Sequence, residues 1–330
     1  MSRLRTLLSI LAVTCAVCAR ADERRPARNP IVRVVTISTD RLTADTKGGL
    51  LEGAMERLNQ AASFRPDIAC LPELFARSAA EAVPGPTTDR LGKWARQHSS
   101  YVIAGIKKLS GGRTYNSAVL LDRHGEVVGQ FDKIHPTEQE LEQGITPGTP
   151  NPPVFETDFG KIGIQICFDV NWWDNWRRLK ETGARIVFFP AAYPAAQQLS
   201  AIALTNEFFV VSSTGTRPSR IYDITGRVLS ASGDYQQWAG AVLPLGRRLY
   251  EVDFHVQKAR LIEQKYGPKV DVQWYHDDDW FTLASLDPDL TVEDIEKEFG
   301  LTPLRDYRIR AAKAVESARS KATRPANTGQ

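Results

Sequence analysis

The chain has 330 residues, 42 of them basic and 39 acidic, for a formal net charge of +3. Arg3, Arg5 and Arg20 lie in the first 21 residues, which hold no acid, so residues 22–330 carry 39 charges of each sign. Zero net charge at ordinary composition gives no electrostatic case for nucleic acid, and the length is ample for one large core or two small ones.

Met1-Ser-Arg-Leu-Arg5 is a short basic start, Leu7 to Cys18 a short apolar run, and Ala19-Arg-Ala21 offers small residues at cleavage spacing. Residues 1–21 therefore read as a secretory signal peptide, and a secreted or periplasmic protein is expected after cleavage near Ala21. The apolar run is too short to span a bilayer, and no later stretch is long and apolar enough to form a stable membrane span. Cys15 and Cys18 leave with the signal peptide, so Cys70 and Cys167 remain, too few for a disulfide framework.

Residues 22–30 are charged and proline-bearing, an expected disordered linker. Ile31 to Ser38 reads as a strand, and a helix from about Asp45 to Phe64 places Leu50, Leu51, Ala54, Leu58 and Ala61 on one face. Asp67 to Leu71 is a short buried strand that Pro72 ends. A helix from about Thr88 to His98 leads into a strand at Tyr101–Lys107. Tyr115–Asp122 and Glu126–Phe131 form a hairpin around Gly125. The segment from Ile134 to Pro153, rich in Pro, Gly, Thr and Glu, reads as a functional loop. The apolar run Lys161-Ile-Gly-Ile-Gln-Ile-Cys167 is a strand that breaks into the first turns of a helix. A strand at Arg185–Pro190, a helix at Ala195–Asn206, a strand at Glu207–Ser213, a hairpin through Gly226 and strands near 239–253 complete the pattern. Strands and helices alternate twice, which predicts α/β architecture with helix-covered sheets. Residues 264–330 form a more polar extension with two helices, one opened by the capping-box pattern Thr291-Val-Glu-Asp294, the other over Leu304–Lys321, and a disordered end from Ala322.

Three strand ends carry residues that together suit amide chemistry. Cys167 supplies a nucleophile, and its place at a helix start is expected to favour thiolate. Glu73, after Pro72 at a strand end, supplies a carboxylate that can take the thiol proton and later activate water, provided burial raises its pKa. Lys133, in Phe131-Asp-Lys133-Ile-His135, supplies an ammonium for a developing oxyanion, alongside the Phe168 backbone N–H. Any one of these alone is ordinary, since a lone cysteine ending a strand is most often a buried small hydrophobe. Their order and common placement after strands is what points to a site.

The segments Pro72-Glu73, Phe-Asp-Lys133-Ile-His and Ile-Cys167-Phe-Asp169, with Tyr115-Asn116-Ser-Ala and Thr146-Pro-Gly148, resemble the nitrilase superfamily of carbon–nitrogen hydrolases. The resemblance runs from about Ile31 to Glu263. It implies a four-layer α-β-β-α sandwich over 31–263, followed by the C-terminal extension over 264–330. It also implies a Glu73-Lys133-Cys167 triad, no metal or organic cofactor, and a homodimer or larger homo-oligomer. The family often has an accessory glutamate after the lysine. Glu138, Glu140 and Glu142 are the candidates here, and spacing before Thr146-Pro-Gly148 favours Glu140 with Glu142 close behind. Thr205-Asn206 stands where a Glu-Asn pair is common, and Asn171 where an arginine often follows the cysteine, departures that touch the substrate subgroup.

Trp172, Tyr193 and His135 are candidates for the pocket wall, with His135 either a proton partner or a packing residue. Asp169 and Arg177 read as an ion pair at the helix start. His276-Asp-Asp-Asp279 reads as a solvated loop, since consecutive acids cannot all face one ion. The expected activity is hydrolysis of a small amide, carbamoyl or nitrile substrate through a cysteine thioester. The alternatives are an N-acyltransferase, in which an amine replaces water, or a non-catalytic interaction protein on the same fold.

Overall fold

A computed structural model describes residues 28–43, 45, 49–216 and 218–322. The expected signal peptide, residues 22–27 of the linker and residues 323–330 lie outside the described residues. No helix among the described residues is long and apolar enough to cross a membrane.

The first half runs β1 (Ile31–Ile37), α1 (Gly49–Ala61), β2 (Ile68–Cys70), α2 (Pro86–His98), β3 (Tyr101–Ser110), β4 (Arg113–Leu121) and β5 (Val127–Asp132). A short helix, α3 (Glu138–Glu142), connects it to the second half. There follow β6 (Val154–Thr157), β7 (Gly160–Ile164), α4 (Trp173–Glu181), β8 (Ile186–Ala191), α5 (Ala196–Asn206), β9 (Phe209–Thr214), β10 (Arg220–Tyr222), β11 (Val228–Ala231) and β12 (Trp238–Pro244). Two six-stranded sheets result, ordered β12-β1-β2-β3-β4-β5 and β11-β10-β9-β8-β7-β6. In each, the central strands are parallel: β1, β2 and β3 in one, β7, β8 and β9 in the other.

Strand alternation explains why four layers form. Val32 and Val34 of β1, Ile68 of β2, Ile103 of β3 and Leu120 of β4 point into the core shared by the two sheets. Their neighbours Val35, Ala69, Val102 and Val119 point outward to Leu58 of α1 and Leu91 and Trp94 of α2. Period-two apolar residues on both faces require cover on both faces. On the far side, Trp176 and Leu179 of α4 and Leu199 and Ile202 of α5 close the fourth layer. Buried hydroxyls tie the sheets together: Thr36 Oγ1 donates to the Ser212 carbonyl at 2.7 Å, and Ser213 Oγ to the Ile37 carbonyl at 2.7 Å. The architecture is the α-β-β-α sandwich that the sequence implied.

Several elements depart from the sequence expectation. The helix expected from Asp45 begins at Gly49, and Leu50 and Leu51 are half-buried rather than core. The loop expected over 134–153 contains α3, because Thr137 and Glu140 form a capping box: Glu140 N donates to Thr137 Oγ1 at 3.2 Å, and Thr137 N to the Glu140 carboxylate at 2.8 Å. The expected linker is ordered at its end, where buried Asn29 donates from Nδ2 to the Ser285 carbonyl at 2.8 Å.

The extension holds more than two helices. After β13 (Arg248–Glu251) and α6 (Val256–Tyr266) come β14 (Val270–Tyr275), β15 (Trp280–Ser285), α7 (Val292–Phe299) and α8 (Leu304–Ala322). The three strands form a separate sheet ordered β13-β15-β14. Tyr250, Ile262, Phe281, Leu283, Val292 and Ile295 give it a core of its own. The expected division at 263/264 falls inside α6, and the separate unit starts with β13. His276-Asp-Asp-Asp279 is the exposed turn joining β14 to β15.

Candidate active site

Glu73, Lys133, Glu140 and Cys167 line one cavity of about 370 Å³. It opens beyond the carboxyl ends of the central strands, where connecting segments diverge and leave a crevice. β2 ends at Cys70, Leu71 N still pairs with the Ile103 carbonyl at 2.8 Å, and Pro72 then turns the chain. β3 must pass directly behind that turn. A Cβ on Gly105 would meet Glu73 Cα at 2.5 Å and Pro72 O at 2.7 Å, so only glycine permits the approach. Lys133 lies just past β5, its N–H on the Asn116 carbonyl at 2.8 Å and its carbonyl accepting from Gly148 at 2.8 Å. Cys167 starts a five-residue 3₁₀ turn after β7 and has φ of +46°, a left-handed conformation that costs a side-chain-bearing residue energy.

The polar side chains form a connected set. Lys133 Nζ donates to Glu73 Oε1 at 2.9 Å and to Glu140 Oε2 at 2.7 Å. Asn116 Nδ2 bridges the same two carboxylates, donating to Glu73 Oε1 at 2.7 Å and Glu140 Oε1 at 2.7 Å. Lys133 is 2 % exposed in its side chain and Glu73 6 %, so these contacts are shielded from water. Burial alone would depress the Lys133 pKa, but the Glu73 and Glu140 carboxylates outweigh it and hold the ammonium above its ordinary range. Burial would raise Glu140, yet Lys133, the Thr137 N–H and Asn116 hold its carboxyl below the usual range.

Cys167 differs from the sequence expectation. Burial first, and then the Glu73 carboxylate, push its thiol well up, against the smaller pull of Lys133 and the Ala192 N–H. The α-helical N–H groups expected beside it belong to α4, which starts six residues later. The resting group is a thiol beside a carboxylate. Cys70 is also free, buried between the sheets with its carbonyl accepting from Ser213 Oγ at 3.0 Å.

Among the accessory glutamates, Glu140 alone reaches Lys133; Glu138 and Glu142 are exposed. The Phe168 N–H makes no backbone hydrogen bond among the described residues. His135, Trp172 and Tyr193 are not on the cavity wall. His135 stacks on Trp172 at 3.6 Å, and its N–H and Nδ1 both meet Asp169 Oδ1 at 2.9 Å. Tyr193 is near enough for Cys167 and Glu73 to add to the rise that burial causes in its phenol pKa. Asp169 therefore serves His135 and not Arg177, which pairs on the surface with Asp174 at 3.2 Å and Glu181 at 2.7 Å.

The wall also contains Thr39, Leu42, Phe75, Arg77 and Thr216, none of which the sequence reading singled out, and Leu50, which it placed on the sheet-packing face of a helix. Asn116 was noted there only as part of a motif. Its signal is a fully buried amide in β4, a polar group that needs partners. Thr137 was readable from its capping box with Glu140. The others are brought in by loops whose paths local patterns do not specify.

Two stacked, helix-covered sheets with a buried thiol, ammonium and two carboxylates at their strand ends define the class of an α/β hydrolase site. Residues 31–243 match the model of the family described as carbon-nitrogen hydrolase. The chain belongs to that family, hydrolases of carbon–nitrogen bonds other than peptide bonds. It is 26 % identical over 203 residues to omega-amidase NIT2 of Xenopus tropicalis, spanning 54 % of this chain and 73 % of the relative. It is 30 % identical over 194 residues to a nitrilase of Pyrococcus abyssi, spanning 54 % and 73 %. Among solved structures, an amidase from Nesterenkonia sp. superposes with a TM-score of 0.57 at 18 % identity over 72 % of this chain and 97 % of that one. Nit3 of Saccharomyces cerevisiae superposes with a TM-score of 0.58 at 16 % identity over 72 % and 95 %. These two likenesses speak to the fold.

Proposed function

We propose that this protein is an exported amidase-type hydrolase that works through a Cys167 thioester. The observation that carries the reading is the meeting of a buried thiol, ammonium and two carboxylates in one cavity. Because the thiol is held protonated, attack and proton transfer to Glu73 are coupled: Sγ bonds to the amide carbon as its proton passes to the carboxylate. An ammonium has three donors, and Glu73 and Glu140 engage two, which leaves one for the carbonyl oxygen as it becomes an oxyanion. The Phe168 N–H is the second donor. Fixed donors of this kind contribute about 3–4 kcal/mol each in dry sites. Glu73 then returns its proton to the departing amine or ammonia. A water enters, gives a proton to Glu73, and adds to the thioester, releasing the acid and restoring the thiol.

The relatives include amidases, and a mutant of the amidase from Nesterenkonia sp. AN1 shows covalent addition of the acetamide moiety of fluoroacetamide at its active-site cysteine. The test is hydrolysis of a panel of amides, carbamoyl amino acids and nitriles by wild type and Cys167→Ala, with mass spectrometry of the protein under turnover. The expected result is product from wild type alone and an acyl adduct on Cys167. Equal product release by the two proteins would sink the thioester reading. Faster acyl capture by an amine than by water would move the assignment to acyl transfer. Amino-terminal sequencing of the exported protein tests the cleavage site near Ala21.

A further inference from the structure

A second cavity, of about 200 Å³, lies at the opposite end of the parallel strands from the first, where Arg185 leads into β8 and Glu207 precedes β9. The start of α8 and the Arg247–Arg248 segment of the extension complete its wall. Five cations, Lys180, Arg185, Arg247, Arg248 and Arg305, meet one carboxylate, Glu207, among the described lining residues.

Two of the five are neutralised from behind. Arg247 pairs with Asp223 at 3.0 Å and with Asp271, and Arg248 with Glu293 and with Glu296 at 3.6 Å. The others are not matched in this way. Lys180 Nζ donates to the Glu207 backbone carbonyl at 2.7 Å, and Arg185 Nη1 to the Leu245 carbonyl at 3.3 Å. Neither has a carboxylate within 4.0 Å among the described residues. Among the described residues Arg305 pairs only with its chain neighbour Asp306, at 3.2 Å. The crowding is felt electrostatically. Burial, with Arg185, Arg305 and Arg248 adding to it against the pull of Glu207, pushes the Lys180 ammonium down to about 8.

We propose that this cavity is an anion site that takes a phosphate group, free or as a small monoester, held by Lys180, Arg185 and Arg305. Those three cations come from the end of α4, the entry to β8 and the start of α8, so they approach from different directions. That disposition suits a tetrahedral dianion better than a planar monoanion, which one arginine fork satisfies. The bound group would also link the extension to the core of the sandwich.

The test is calorimetric titration of the full chain with inorganic phosphate and with glycerol 3-phosphate, in chloride of matched ionic strength, for wild type, Arg185→Gln and Lys180→Met. Amide turnover at the distant cavity reports that each variant is folded. The expected result is saturable phosphate binding that either substitution weakens about tenfold or more, the loss of one charge-assisted hydrogen bond. Similar affinities for the two ligands assign the site to the phosphate group itself, and binding of glycerol 3-phosphate alone assigns it to an organic phosphate. No saturable binding of either ligand by wild type, or undiminished binding by both variants, overturns the proposal.

Discussion

Replacing Glu140 by glutamine tests whether the accessory carboxylate holds the ammonium in place. Glu140 accepts from Lys133 Nζ at 2.7 Å, from Thr137 N at 2.8 Å and from Asn116 Nδ2 at 2.7 Å. A glutamine of the same shape has one acceptor oxygen, so its NH₂ must confront Asn116 or Lys133, both donors. With the Glu140 side chain only 17 % exposed, the lost charge-assisted contact costs about 2 kcal/mol. If Lys133 is positioned for the transition state by that contact, the same energy appears as a roughly thirtyfold lower kcat with a smaller change in KM. The assay is steady-state hydrolysis of the best amide of the panel, with urea denaturation followed across pH. The folded Glu140 carboxyl sits below its ordinary range, so its contribution to stability is complete above the unfolded glutamate pKa. It is lost as pH falls through the depressed folded value. The wild-type urea midpoint should therefore fall on acidification more steeply than that of Glu140→Gln. Unchanged kcat together with parallel pH profiles would refute the reasoning.

The remaining predictions concern the backbone and the cavity wall. Cys167→Gly and Cys167→Ala both lack the thiol, but glycine accepts φ of +46° without strain, so Cys167→Gly should unfold at a higher urea midpoint, by about 1 kcal/mol in stability. Gly105→Ala would place a methyl 2.5 Å from Glu73 Cα. It should cost about 1–3 kcal/mol and lower kcat by moving Glu73, whereas wild-type activity would show that β3 can shift away. Arg77 lines the Cys167 cavity, and among the described residues no ion pair engages its guanidinium. Amides bearing a carboxylate should therefore have lower KM than neutral ones of equal size, and Arg77→Ala should abolish the difference, as a KM comparison over matched substrates checks.

Much of the sandwich was legible because both faces of its central strands are apolar. Runs such as Ile162–Ile166 and Val187–Phe189 are buried throughout, a pattern that demands cover on each side. The extension was less legible. Val270-Asp-Val-Gln-Trp-Tyr275 does alternate as a strand, but its β partner is Trp280–Ser285 across a turn of four polar residues, in a segment whose helices have the stronger local signals. Helix α3 was hidden by its length, since five residues give no periodicity and only the Thr137–Glu140 cap betrays it.

The sequence by itself determined which residues could do chemistry and that they follow strands, because reactive side chains and strand-ending prolines are local facts. Tertiary structure decided what each of them is. It put Asn116, 43 positions from Glu73 and 24 from Glu140, between the two carboxylates. It gave Asp169 to His135 instead of Arg177, and it left His135, Trp172 and Tyr193 off the cavity wall. It also reversed the expected charge state of Cys167. A helix start favours thiolate, but burial and a neighbouring carboxylate oppose it more strongly, and both depend on segments distant in the chain.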